Sequence, residues 1–279
     1  MNGLIAGSIY ALIAIGFNLI YSTKKFFDLA HGSMLVIGGY TVYYFSISLA
    51  YPVWLSVILG IVAAGLSGLL LDVSLYRALR KKKATGMVLL VASLGAFTAL
   101  QAATAMIFTS QFQRLSPTST FESIEIFGAH ITTIQIAAIG ISLTVWFLMV
   151  LLLKYTRFGK VIKAVSDDEG IAKIIGINTE KVFLAVSFLG AAIAGIGGIL
   201  YGFDTGIEPV MGLPLLLKGI IAAIIGGIGS IHGALVGAYF LALVENFGIW
   251  KISSEWKDAI SFGVLIIFLL FRPNGIFKR

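Results

Sequence analysis

Apolar residues fall into eight long runs, most of them near the roughly 20 residues that a helix needs to cross a bilayer. The runs cover residues 4–21, 29–51, 53–75, 87–108, 131–153, 182–203, 213–247 and 259–271. Because unpaired backbone groups are costly in lipid, a single chain segment that spans a membrane folds as a helix. The pattern therefore predicts an all-α, polytopic membrane helix bundle with about eight spans.

The seventh run, residues 213–247, is too long for one crossing. It is interrupted by glycines at Gly226, Gly227, Gly229 and Gly233. Discontinuous helices with glycine interruptions are common in transporters. We therefore expect a broken or re-entrant element here, made of two shorter helices.

Basic residues are concentrated beside the ends of these runs, and they indicate the orientation of the chain. Most of the 20 Lys and Arg residues lie in four clusters, at residues 24–25, 77–83, 154–181 and 272–279. By the positive-inside rule, all four clusters are predicted to face the cytoplasm. The chain then starts outside, and the broken element enters and leaves on the outer side. Within a single transmembrane domain, 1–279, we expect an external loop at 110–130, with a small hairpin at 121–127, and a cytoplasmic loop at 154–181.

Composition supports a membrane protein and narrows its chemistry. Hydrophobic residues make up 58% of the chain and charged residues 12%, against about 25% charged residues in soluble domains. A water-soluble enzyme is thereby excluded. The absence of cysteine excludes disulfides and thiolate metal sites, and three scattered histidines without clustered carboxylates predict no metal and no cofactor. The net charge of +7 is attributed to topology and lipid headgroups, with no nucleic-acid partner, because the basic residues lie at span ends.

The hydrophilic stretch 154–181 is predicted to form two short helices at the cytoplasmic surface. Ser166 followed by Glu169 has the pattern of a capping box, so Ser166 is the expected N-cap. Gly176 can end the helix in the left-handed conformation, and Asn178 can cap the next span. Such a stiff, charged element suits the docking of a soluble partner. An ordinary amphipathic helix at the membrane surface is the alternative.

Several stretches resemble the permease subunits of branched-chain amino-acid ABC importers, and most closely the shorter of that family's two permease types. Three of them follow one another, at residues 157–165, 172–178 and the glycine-rich 185–202. The others are residues 27–32, 217–230 and 272–275, so that the resemblance spans nearly the whole chain. Two positions depart from the family pattern. Gly170 stands where the family usually has Glu, which leaves open which carboxylate meets the ATPase. Asp28 stands where Asn is more frequent, which indicates either a different substrate or a solvated loop residue.

The resemblance implies a permease subunit for branched-chain or other hydrophobic amino acids in the cytoplasmic (inner) membrane of a bacterium or archaeon. It implies four partners besides the lipid bilayer: ATP-binding-cassette ATPase subunits, a second permease that is homologous or identical, an extracytoplasmic substrate-binding protein and the amino-acid substrate. The chain has no phosphate-binding Gly-rich loop and is not predicted to be an enzyme. Expected ATPase-coupling residues are Arg157, Asp167, Asp168, Glu169, Ala172 and Gly176.

Polar residues inside the spans are candidates for the translocation path, since an isolated charge at the bilayer centre costs at least about 2.5 kcal/mol. Lys218 either faces the carboxylate of an amino acid or extends to the outer surface. His31 and His232 each precede a glycine, which hints at a degenerate internal repeat, although a hydrogen-bonded packing role is the alternative for each. The predicted path residues are His31, Gly32, Lys218, Gly226, Gly227, Gly229 and His232.

An ion-coupled secondary transporter or channel for a small polar solute is the alternative function. It is disfavoured because the spans contain almost no acidic residues, and Asp72 and Glu245 lie near predicted span ends. An intramembrane enzyme is less well supported still, because the sequence lacks the His-Glu-x-x-His and Gly-x-Ser-x-Gly motifs.

Overall fold

The computed structural model describes residues 2–115, 123–126, 129–250 and 253–277. Its helices are α1 (Asn2–Lys24), α2 (His31–Tyr43), α3 (Val53–Leu71), α4 (Arg77–Lys81), α5 (Gly86–Phe108), α6 (Thr133–Tyr155), α7 (Arg157–Asp167), α8 (Glu169–Ile174), α9 (Thr179–Asp204), α10 (Gly212–Gly226), α11 (Ile231–Gly248) and α12 (Lys257–Phe271). One π-helical turn, Tyr44–Ser48, extends α2, and another, Asp72–Tyr76, joins α3 to α4. Short 3-10 turns occur at Pro209–Met211 and Ser254–Trp256.

Seven helical segments of the described chain are long and apolar enough to cross a membrane. They are α1, the continuous rod Val53–Lys81, α5, α6, α9, α10 with its preceding turn, and α11. Helices α2 and α12 are shorter, at 13 and 15 residues. Helix α2 lies within the predicted run 29–51, and α12 ends where the predicted run 259–271 ends. The predicted polytopic helical membrane bundle, with its broken element, is confirmed.

Helix α1 lies at the centre of the bundle. It packs against α6, α9, α10 and α11, and nearly all of its side chains between Tyr10 and Ile20 are buried. A helix that is apolar on every side must be kept from water, and α1 meets this requirement by packing against other helices of the bundle. Close approach around this core depends on small residues. A Cβ atom at Gly198 of α9, for example, would overlap the carbonyl oxygen of Leu35 in α2.

The broken element consists of two antiparallel helices, α10 and α11, joined by a tight turn at residues 227–230. The turn needs glycine because Gly227 and Gly229 have φ values of +107° and +91°. The chain after α12 reaches this turn, where the Ile276 and Phe277 amides donate to the carbonyls of Ile225 and Gly226 at 2.9 and 3.0 Å. We call the end of the bundle that holds this turn, Lys24 and the segment 272–277 the inner end, and the opposite end the outer end. The charge pattern predicts that the inner end is cytoplasmic.

The loop between α5 and α6 contains a short antiparallel hairpin. Strand β1 (Ser123–Ile126) lies within the predicted stretch, and β2 (Ala129–Thr132) follows it and leads into α6. Gln113 and Ile207 exchange backbone hydrogen bonds of 2.9 and 2.8 Å, which attach this loop to the segment after α9. Residues 116–122 and 127–128 of the loop, like Lys278 and Arg279 of the last basic cluster, lie outside the described residues.

Candidate functional site

The stretch 154–181 forms the two predicted short helices, α7 and α8, but its capping residue differs from the prediction. Helix α7 continues through Asp167, and Asp168 is the N-cap of α8, accepting a 2.9 Å bond from the Ile171 amide. Ser166 is instead buried, and its hydroxyl donates to the carbonyl of Ser22 in α1 at 2.8 Å. The prediction of Ser166 as the cap was wrong because that hydroxyl is already used to attach α7 to the core.

The end of α8 is built as predicted. Gly176 has a φ of +87°, and the Ile177 amide donates to the carbonyl of Ala172 at 3.0 Å. Asn178 then caps α9 by accepting a 3.1 Å bond from the Lys181 amide. Both ends of α8 are therefore fixed by hydrogen bonds, which makes the segment a stiff element.

The six predicted coupling residues differ in their exposure. Arg157, Asp167, Asp168 and Gly176 are exposed, Ala172 is buried, and Glu169 forms a 2.5 Å ion pair with Lys173 on the same helix.

An apolar tip on α8, formed by Ile171, Ile174 and Ile175, was not predicted from the sequence. All three side chains are exposed, Ile174 to 85%. Three isoleucines within a hydrophilic stretch were the signal for it. Clustered exposed apolar side chains on an ordered element mark a surface for a protein partner or for the membrane.

A buried inner ion cluster joins α1, the Val53–Lys81 rod and α9. Asp72 is fully buried and contacts Lys24 and Arg80 at 2.7 Å each, while the Ser187 hydroxyl donates to it at 2.5 Å. Arg80 also bonds Glu180, at the start of α9, at 2.9 Å. Asp72 was predicted near the end of a span. It does lie at the inner end, beside the last residue of α1, but its carboxylate is surrounded by Lys24, Arg80 and Ser187.

Asp28 lies beside this cluster and is buried, so the interpretation of a solvated loop residue was wrong. Its carboxylate accepts a 2.5 Å bond from the Tyr76 hydroxyl and a 3.1 Å bond from the Ala30 amide. Burial raises the pKa of the Asp28 carboxyl above its usual range, and the charge of Lys24 acts in the opposite direction. Asp28 thus orders the turn that leads into α2.

A second group, the outer ion cluster, surrounds Glu245 at the other end of α1. Glu245 is fully buried and accepts hydrogen bonds from the Tyr10 hydroxyl at 2.9 Å and from the Ser261 hydroxyl. Lys218 and Lys257 approach the same carboxylate at 3.6 and 3.8 Å. Like Asp72, Glu245 is therefore a buried carboxylate with cationic partners. Its position near the end of a predicted span did not indicate this burial or pairing.

Lys218 is mostly buried, and its ammonium group also lies 3.0 Å from Asp258 and over the ring of Tyr10. It does not simply extend to the outer surface, as one of its two predicted roles required. With Asp258 and Ser261 it lines a small cavity of about 100 Å³ at the outer end.

The structure does not bring the seven predicted path residues together. His31 is buried against Gly16 of α1, and Gly32 meets the backbone of Gly212 in α10, so both lie at helix contacts. Gly226 packs against Gly233, and Gly227 packs against the segment after α12.

Gly229 and His232 are different, because they line an open groove at the inner end. The imidazole of His232 is exposed and packs edge-to-face on Trp146 at 5.5 Å.

Comparisons with known proteins agree on one family. The family described as "Branched-chain amino acid transport system / permease component" matches residues 1–269. The high-affinity branched-chain amino acid transport system permease protein LivH of Escherichia coli (strain K12) is 32% identical, over 100% of this chain and 94% of the relative. BraD, a permease protein of the same description from Pseudomonas aeruginosa, is also 32% identical with the same coverage. Among solved structures, PsaBC from Streptococcus pneumoniae in complex with Fab has the same fold, with a TM-score of 0.55, 11% identity and coverage of 98% of this chain and 91% of that one.

Proposed function

Because the chain belongs to the family of permease components of branched-chain amino acid transport systems, we propose that it is the membrane subunit of an ABC importer. It forms part of the translocation path for branched-chain or similarly hydrophobic amino acids and catalyses no covalent reaction. Separate ATPase subunits drive it, an extracytoplasmic binding protein delivers the substrate, and a second permease, identical or homologous, completes the pore. The complex lies in the cytoplasmic membrane of a bacterium or archaeon.

The α7–α8 element is the observation that carries this proposal. An importer without its own ATP site needs a surface that transmits motion from the ATPase to the membrane helices. The element is capped at both ends, its Ala172 is buried, and Ser166 bonds it to α1. Movement of α8 is therefore passed to the central helix, which is what alternation between two packings of the bundle requires.

Within this element we assign the contact with the ATPase and the support of the α8 conformation to different residues. Ile171, Ile174 and Ile175 form the apolar contact with the ATPase, and Arg157 and Asp167 are exposed on α7. The other predicted coupling residues, Asp168, Glu169, Ala172 and Gly176, hold α8 in shape by capping, ion pairing and packing.

For the path itself, we retain only Lys218 from the predicted set. It lines a cavity, and its charge is held by Glu245 and Asp258. His31, Gly32, Gly226 and Gly227 are assigned to helix packing. The ion-coupled alternative is not favoured, since the buried carboxylates Asp72 and Glu245 are both already paired with cations.

The decisive experiment replaces the tip of α8. Ile174→Asp should reduce co-purification of the ATPase at least tenfold and abolish ATP-driven leucine uptake in proteoliposomes, because burying a carboxylate in an apolar contact is costly. Folding should be unaffected, since the side chain is exposed. Lys160→Asp, an exposed substitution on α7 away from the tip, is the matched control. Normal ATPase binding by Ile174→Asp, or uptake by the permease alone, contradicts the proposal.

A further inference from the structure

The groove at the inner end lies between α1, α6, α7 and the beginning of α11. Its volume is about 360 Å³, and it is open to the surface. The polar side chains that line it are Asn18, Ser22, Lys154, Lys163, Ser166, Ser230 and His232. The proposed function uses none of the cations in this group.

The charge of the groove is its distinguishing property. Lys154 and Lys163 line it, and its lining contains no Asp or Glu. Three other cavities in the described part of the chain each include a carboxylate, from Asp204, Asp258 or Glu169 with Glu180. Neither Lys154 nor Lys163 forms an ion pair with a carboxylate of the described residues; the Lys154 ammonium group lies 5.4 Å from the Tyr155 ring centre. The groove therefore offers two positive charges to an anion.

Its walls are apolar and lead to the bilayer. Val150 and Leu153 of α6 line the groove on one side, and Leu19 and Ile162 line it on others. One turn before Val150 on the same face of α6 lies Phe147, which is exposed, as is its neighbour Leu148. Since most of α6 is both apolar and exposed, the wall of the groove continues into the lipid-facing surface of the protein.

The depth of the groove matches the headgroup level of a membrane. It opens where α6 ends at Tyr155 and the amphipathic α7 begins, with Ile162 turned inward and Lys160 and Lys163 turned outward. Trp146 packs on His232 nearby, and tryptophan is enriched at membrane interfaces. Basic pockets between membrane helices on the cytoplasmic side bind anionic lipid headgroups.

We infer that this groove binds an anionic phospholipid. The phosphate lies between Lys154 and Lys163, and an acyl chain runs along α6 past Val150 to Phe147. A zwitterionic amino acid suits the groove less well, because no carboxylate is present to receive its ammonium group. The site is thus additional to the transport path, and it does not depend on which solute is carried. Because Ser166 bonds Ser22, the bound lipid braces α7 against α1.

Native mass spectrometry of the full chain, in the complex with which it purifies, tests this inference. Phosphatidylglycerol and phosphatidylcholine of matched acyl chains are titrated separately. The parent should prefer phosphatidylglycerol, and Lys154→Gln/Lys163→Gln should lower its affinity for that lipid about tenfold to thirtyfold, given the usual contribution of a lysine near an anionic lipid. Lys154→Arg/Lys163→Arg should retain binding. Lys160→Gln/Lys181→Gln removes two exposed charges outside the groove and should have little effect.

Three outcomes would overturn the lipid assignment. The first is equal phosphatidylglycerol binding by the two glutamine pairs, and the second is equal binding of the two lipids by the parent, which needs no variant to fold. The third is displacement of phosphatidylglycerol by a competitor. Displacement by inorganic phosphate would show a site for free anions, and displacement by leucine would show the inner mouth of the solute path.

Discussion

The inner and outer ion clusters each bury a carboxylate beside α1, but they hold it differently. Lys24 of the inner cluster and Tyr10 of the outer one are separated along α1 by about 20 Å at 1.5 Å per residue. In the inner cluster, Asp72 meets two cations directly, each at 2.7 Å. In the outer cluster, Glu245 is bonded to two hydroxyls, and its lysines stay at 3.6 and 3.8 Å.

This difference shows which end of the bundle can rearrange. Loss of Asp72 would leave Lys24 buried without its ion-pair partner. Loss of Glu245 leaves Lys218 with Asp258, which is 64% exposed and 3.0 Å away. Lys218 can therefore exchange partners, whereas Lys24, unlike Arg80 with its bond to Glu180, has no second ion pair among the described residues. In an importer, an adaptable outer end and a fixed inner end would place rearrangement near substrate entry.

The largest effect is expected for Asp72→Ala. Removing one partner of a buried ion pair costs about 3–5 kcal/mol, because the remaining charge is left uncompensated. Unfolding in mixed detergent micelles measures this as a loss of stability and of folded yield. Asp258→Ala, which removes an exposed carboxylate, is the control and should change stability by less than about 1 kcal/mol. Equal stability of the two variants would show that the inner cluster is not a fixed ion-pair site.

A smaller loss is expected for Glu245→Gln. The amide keeps an acceptor oxygen for one of the two hydroxyls and presents its NH2 group to the oxygen of the other, and Lys218 keeps Asp258, so the cost should be about 1–3 kcal/mol. The same unfolding assay checks the value. A loss as large as that of Asp72→Ala would remove the distinction between the two clusters.

The smallest effect is expected for Lys257→Gln. Its ammonium group is half-buried and 3.8 Å from Glu245, and such loose pairs contribute about 0–1 kcal/mol. Lys24→Gln is the matched inner variant, and it should cost several times more because Lys24 is fully buried against Asp72. Reversal of this order in the unfolding assay would contradict the comparison.

The sequence predicted features that depend on neighbouring residues. The apolar runs gave the spans, and the local patterns around Gly176 and Asn178 gave the end of α8 and the start of α9. Between Ser166 and Asp168 the local pattern chose the wrong cap, because the competing bond from Ser166 goes to Ser22, far away in the chain.

The ion clusters could not be predicted because their members come from distant helices. Ser187, which bonds Asp72, is 115 residues from it, and Tyr10 is 235 residues from Glu245. A hydropathy pattern shows only how far each charged residue lies from the end of an apolar run. The predicted path residues were scattered in the structure for the same reason: a polar residue within a span marks either a path or a packing contact, and only the neighbouring helices decide which.

The hydrogen bonds that the Ile276 and Phe277 amides donate to the end of α10 have a consequence for biogenesis. The last carbonyls of a helix have no partner within it, and those of Ile225 and Gly226 receive theirs from a segment made only after α11 and α12. During synthesis, the tip of the α10–α11 pair therefore enters the translocon with open acceptors. Its final geometry is completed only after Ile276 and Phe277 have been synthesised and have reached the end of α10.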